Sequence, residues 1–314
     1  MQSLGTLPGG SDSVATAVSG NGQWRIGNSG INAYGPGFSE FTQGFIVGDG
    51  DMEAVGALFC PCSVNVRHGT SEAFGVNDLG TVVGWSRSPR ANYYHAFMWK
   101  DGDMEDISET GLGDPSYSRA FAVNNREQIV GDIARDDALT YVDVDRSAFL
   151  WEAGTFTYLA HLPGYSNSTA VAINEEGQAA GWSGNADYSA TIAAFWSDDQ
   201  VSSIGVLDGD GNSRALAVND SGQVVGWSGS AGNDSRAFFW QDGYLLDLNS
   251  LLPPEAAWRL IEARDINDRG MIAGTALKGA ELRAFLLIPP SPQRLLNSAR
   301  RAAGPAARRP GRAP

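Results

Sequence analysis

The sequence predicts an all-β fold, a six-bladed β-propeller with four-stranded blades, and three observations predict it. A strand–turn–strand pattern recurs six times. Its spacing is close to that of propeller blades, roughly 40–50 residues. The two ends of the chain each carry part of the sixth unit. Residues 214–248, RALAVNDSGQVVGWSGSAGNDSRAFFWQDGYLLDL, show the unit complete. ALAV is a short apolar strand, NDSG a tight turn and QVVGWS a second strand. After a polar loop, RAFFW is a third strand, QDG a turn and YLLDL a fourth. Apolar runs separated by Asn-Asp and Asp-Gly turns are the strongest hairpin signal a sequence offers.

The turn into the second strand carries an Asn column at Ser19, Asn77, Asn124, Asn174, Asn219 and Asn267, in steps of 58, 47, 50, 45 and 48 residues. First strands carry small residues two apart, as in Ala73/Gly75, Ala120/Ala122, Ala170/Ala172 and Ala215/Ala217. Small side chains suit a crowded innermost strand. Second strands contain Gly84, Gly131, Gly181, Gly226 and Gly274, where glycine marks a close backbone approach. Third strands end on Trp99, Trp151, Trp196 and Trp240, expected to pack between blades because a part every blade needs is structural. The sixth unit stops in Pro-Pro after Ile288, without a fourth strand. Residues 2–7, QSLGTL, align with the fourth-strand segment SSIGVL at 202–207. This N-terminal strand is therefore expected to complete the last blade and close the ring, removing exposed sheet edges.

Residues 1–290 thus read as the propeller and 291–314 as a disordered Arg/Pro/Ala-rich tail. The tail holds six arginines and no acid, so the preceding body carries −20 against −14 for the whole chain. A body that acidic disfavours nucleic acid and anionic membranes. No run approaches the roughly 18 apolar residues of a membrane span, and no signal peptide is visible. Cys60 and Cys62, in FCPC, stand too close for an ordinary disulfide.

The recurring V/I-N-x-x-G-Q-x-x-G-W-S, the H/R/S-A-F-x-W of the third strand and LGTLPGG together resemble the HAF-repeat family of extracellular bacterial proteins, over residues 2–288. The resemblance implies an exported repeat protein and supplies no activity or catalytic residues. His95-Ala96-Phe97 is the family's name triplet, but Ser147, Arg236 and Arg283 take the His place elsewhere, which argues against a required histidine.

Loop length is the functional asymmetry. Connections between strands one and two, and three and four, are tight. Those between strands two and three, and between blades, are long, and antiparallel order puts both long classes at one end. Binding residues live on variable loops held by a rigid scaffold. That end carries Tyr34, Phe38 and Phe41, then Tyr93, Tyr94 and His95, then Tyr141, and then Asp187 and Tyr188. Aromatic rings beside hydrogen-bonding groups suit a glycan or protein ligand. Calcium is the one cofactor the sequence offers: Asp208, Asp210 and Asn212 in DGDGNS alternate like the start of a calcium loop, without the distal Glu. No HExxH or GxSxG occurs, and none of the three His stands beside a nucleophile. An extracellular binding scaffold is the expectation. The alternative, a propeller hydrolase or lyase at the same end, rests on fold analogy.

Overall fold

The computed structural model describes residues 3–31, 41–58, 70–87, 94–108, 117–134, 146–230, 234–253, 255–289 and 292–302. Two compact units divide the chain, Met1–Tyr158 and Leu159–Pro314.

The first unit begins with the antiparallel meander β1 (Gly10–Val18), β2 (Arg25–Ile31), β3 (Phe41–Val47) and β4 (Glu53–Ala54). A second meander follows in β5 (Ser71–Val76), β6 (Val82–Arg87), β7 (Tyr94–Lys100) and β8 (Asp103–Asp106). The third is β9 (Tyr117–Val123), β10 (Ile129–Ala134), β11 (Arg146–Glu152) and β12 (Thr155–Leu159). One parallel bridge, Tyr94 to Tyr117, joins the second and third meanders into an eight-stranded sheet. In the second unit the meanders are β13 (Asn167–Ile173) to β16 (Gln200–Gly205), with β14 (Ala179–Gly184) and β15 (Thr191–Ser197) between, and then β17 (Ser213–Val218), β18 (Val224–Ser228), β19 (Arg236–Gln241) and β20 (Tyr244–Asp247). A three-stranded sheet, β21 (Trp258–Ile266), β22 (Ile272–Lys278) and β23 (Glu281–Leu287), precedes helix α1 (Pro292–Ala302).

Almost every letter of the repeat has a structural task. The column asparagine closes its own turn and reaches the next meander. Asn219 Oδ1 accepts from the amides of Ser221 at 3.1 Å and Gln223 at 3.0 Å, while its Nδ2 donates to Asn267 O at 3.0 Å. Asn174 does the same toward Asn219 O at 2.9 Å, and Asn77 toward Asn124 O at 3.0 Å. The following residue adds a second tie: the amides of Asp78, Glu175 and Asp220 donate to the side chains of Asn125, Asp220 and Asp268. Buried side-chain amides that satisfy backbone groups on both sides hold neighbouring meanders in one register.

The second-strand glycine faces a bulge. Between Ala73 and Gly75, and again between Ala215 and Ala217, the first strand carries one extra residue opposite β6 and β18 respectively. A Cβ on Gly84 would lie 1.8 Å from Glu72 O, and one on Gly226 2.0 Å from Arg214 O, so no other residue fits there. Serines tie in the linkers. Buried Ser183 and Ser228 accept the amides of Leu162 and Leu207 at 3.0 and 2.9 Å. Trp99, Trp151, Trp196 and Trp240 are all buried among apolar side chains, as are Phe97, Phe149 and Phe238.

Two expectations about the chain ends meet a different arrangement. Residues 3–7 form no strand. What they share with the repeat is Leu7, whose amide meets Ser29 Oγ at 3.3 Å and whose side chain is buried beside Phe45 and Val47. At the other end, residues 292–302 are not a disordered tail. In α1, Leu295 and Ala299 join the cluster of Leu246, Leu248 and Leu260, and Leu296 beside them is buried as well. Composition averaged over the tail hid these residues, whose spacing suits one face of a helix.

Candidate functional site

Recognition was expected at the end where second strands run into third strands. Tyr34, Phe38, Tyr93 and Tyr141 lie outside the described residues, as do Cys60 and Cys62, and Phe41 is described in its backbone alone. What the described residues place at this end forms two groups, one in each unit.

In the first unit, Tyr94 opens β7 and is 39% exposed. Its ring stands edge-on to Trp85 with centroids 4.3 Å apart, and 6.2 Å from the ring of Tyr117. His95, the next residue, is not at the surface. Its side chain is fully buried, with Nδ1 2.6 Å from Asp106 Oδ2. Alternation along β7 explains the correction, because a residue beside an outward Tyr points inward. Arg236 occupies the same repeat position and holds Asp247 Oδ2 at 2.9 Å, the equivalent acid. The position is a latch between the third and fourth strands.

In the second unit, the turn at 185–190 is described in full. Asn185 Oδ1 accepts from Ala190 N at 2.9 Å, and Asn185 O accepts from Tyr188 N at 3.0 Å. Asp187 is exposed, and its Oδ1 accepts from Ser189 N at 3.0 Å. The amide and then the hydroxyl of Ser189 hold that carboxyl below its ordinary range. Tyr188 has φ +55°, a left-handed conformation that costs a residue with a side chain energy and persists only where neighbours fix it. Its ring lies against Gly184.

Beside this turn stands a group the sequence reading missed. Arg214, on β17, has its guanidinium carbon 4.5 Å from the ring centre of Trp182 and 5.8 Å from that of Trp227. All four side chains, Trp182, Tyr188, Arg214 and Trp227, are partly exposed. Burial pushes the guanidinium below its ordinary value, and the nearby Tyr188 acts in the opposite sense. A signal was available. In the G-W-S motif, Gly faces the bulge and Ser takes the linker amide, but Trp85, Trp182 and Trp227 are absent from the buried core.

The expected calcium set is engaged otherwise. Asp210 Oδ2 pairs with Arg236 Nη2 at 2.8 Å, the same nitrogen donates to Asp208 O at 2.9 Å, and Asn212 Oδ1 accepts from Thr191 N at 2.8 Å. The loop is organised around a guanidinium, whose charge opposes a second cation at the same oxygens. Among the described residues no three His, Cys, Asp or Glu side chains gather as a metal site, and no helix is long and apolar enough to cross a membrane. A cavity of about 340 Å³ lies at the tight-turn end of the first meander, between Leu4, Arg25 and the 48–52 turn.

No protein-family model and no curated protein sequence matches the chain. Its structure is similar to that of a Mycobacterium tuberculosis puromycin-hydrolyzing peptidase, with TM-score 0.50 and 14% identity. That match covers 90% of this chain and 45% of the peptidase, so the chain spans less than half of that protein. The β-propeller domain of the Trilobed protease from Pyrococcus furiosus gives TM-score 0.47 at 11% identity, covering 87% of this chain and 81% of that one. SapL1 lectin, in complex with alpha methyl fucoside, gives 0.44 at 11%, covering 89% and 97%. At such identities a likeness concerns the fold and not the chemistry. Consecutive four-stranded antiparallel meanders are what propeller blades are made of, and the described fold is all-β and built mainly from such meanders.

Proposed function

We propose that this chain is a binding scaffold whose long-loop end takes a glycan or protein ligand. The observation that carries this reading is the unequal fate of the motif tryptophans. Those ending third strands are consumed by the core. Trp182 and Trp227 of the G-W-S motif stay partly exposed around Arg214 and Tyr188, where the variable loops begin. Flat apolar rings with polar groups between them, set on rigid strands, suit a ligand that offers both apolar faces and hydrogen-bonding groups. The HAF-repeat resemblance adds an extracellular setting to the proposal. The count of six blades rests on the repeat number. A glycan array and a pull-down with the full chain, read beside a glycosidase and lyase screen, test the function. Binding that Trp182→Ala weakens without loss of melting temperature is the expected result. Turnover of a polysaccharide, or a ligand seated at the tight-turn cavity, would overturn it.

A further inference from the structure

The repeat supplies its own control for Arg214. In the third meander Arg119 holds the equivalent place on its first strand, opposite Asp132. That carboxylate is fully buried and takes Arg119 through two bonds, Nε at 3.0 Å and Nη2 at 2.6 Å. In the fifth meander the residue opposite Arg214 is Trp227. Among the described residues no carboxylate pairs with Arg214 in its place. Among the described residues, too, the buried Nε of Arg214 has no hydrogen-bond partner, and Tyr188 acts on its charge from beside it. A partly desolvated guanidinium without a counter-ion is costly, and stacking on two indoles recovers only part of that cost.

We propose that the Trp182–Arg214–Trp227 cluster binds a carboxylate-bearing sugar, a uronic acid residue of an acidic glycan. This assignment rests on the binding reading above and narrows its ligand class. One planar guanidinium edge matches one carboxylate through two parallel hydrogen bonds, the arrangement Arg119 already makes with Asp132. A single positive charge within a strongly acidic body fits a monoanion better than a phosphate, which calls for more than one cation. The rest of the cluster favours a sugar over an acidic peptide. Exposed Asp187, adjacent to Tyr188, is an acceptor for hydroxyl donors, and the indole edges offer apolar surface to a pyranose ring.

The test uses the full chain, tryptophan fluorescence and calorimetry, with oligogalacturonate and oligoglucuronate as probes and their methyl esters as neutral partners. The acids should bind at least tenfold more tightly than the esters, and added salt should weaken them. Arg214→Gln should lose tenfold or more, and Arg214→Lys, which keeps the charge without the fork, should fall between. Equal binding of acid and ester by the unaltered chain, a comparison that needs no variant to fold, would overturn the assignment. So would an Arg214→Gln protein that melts and binds like the parent, or an acidic peptide that displaces the sugar. If neutral glycans bind and acids do not, the carboxylate assignment fails while the scaffold reading stands. If no glycan and no protein binds, both fail.

Discussion

Replacing Asn219 with alanine measures how strongly one meander is tied to the next. The side chain is 4% exposed and makes four hydrogen bonds: it accepts from Ser221 N and Gln223 N, and donates to Gln223 Oε1 at 2.8 Å and Asn267 O at 3.0 Å. Deleting it removes the partners of two amides, of the Asn267 carbonyl and of Oε1 of Gln223, whose side chain is itself buried. At about 1 kcal/mol for each net bond, more where a buried group stays unpaired, the loss is about 3–4 kcal/mol. Asn267 is the internal reference. It is exposed and closes its own turn through Arg269 N and Met271 N, so alanine there should cost about 1 kcal/mol or less. Unfolding entropy of about 2.1 cal/mol/K per residue converts these figures into melting shifts. Asn219→Ala should lower the transition by about 5 °C if the whole chain melts together, and by about 10 °C if the Leu159–Pro314 unit melts alone. Differential scanning calorimetry of both variants reads the difference. Equal shifts for Asn219→Ala and Asn267→Ala would refute the idea that the column asparagine links meanders.

Three further outcomes follow from the same structure. Removing residues 291–314, or placing Asp at Leu295, should destabilise the second unit by about 2–4 kcal/mol, since two buried leucines leave the core with α1; an unchanged melt would return the segment to a disordered tail. Calcium should leave the melting temperature unchanged, whereas Arg236→Ala should lower it by removing the partner of Asp210 and Asp247; a calcium-dependent rise abolished by Asp210→Ala would show the reverse. Glu127, whose carboxyl is held below its ordinary 4.5 chiefly by its hydrogen bond from Lys100, contributes stability present above the unfolded value and lost as pH falls through the folded one. The difference in melting temperature between the parent and Glu127→Gln should therefore shrink as pH drops below 4.5, and a gap that widens in acid would contradict the assignment.

The parts of the fold legible in the sequence are those in which one residue type meets one local demand. A turn needs Asn, a bulge crossing needs Gly, and a linker amide needs Ser, so the repeat shows all three in register. What escaped depends on partners distant in sequence. The join between the second and third meanders is a single bridge from Tyr94 to Tyr117, and nothing in either strand alone marks it. Helix α1 escaped for a different reason. Three apolar residues, Leu295, Leu296 and Ala299, decide whether it docks, and they are outnumbered by Arg, Ala and Pro in any compositional average over the tail.

The candidate site shows the same division more sharply. Tyr94, Asp187 and Tyr188 were legible because loop length alone locates them, and Tyr94 and Asp187 are indeed exposed. His95 was misplaced because exposure alternates residue by residue along a strand, and one step decides between surface and core. Arg214 was missed because its meaning lies in a cross-strand pair. Whether an arginine on the first strand is neutralised depends on the residue opposite it on the second. The bulge shifts that register by one within each meander. Once the register is known, the sequence becomes informative again. Arg119 meets Asp132, Arg214 meets Trp227, and Glu72 meets Trp85. The scaffold letters are constant while the facing pair changes in charge from meander to meander, so under the binding proposal architecture and recognition fall to different residues. Ligand chemistry can then diverge at these pairs without disturbing the asparagine ties, the bulge glycines or the core tryptophans that hold the meanders in place.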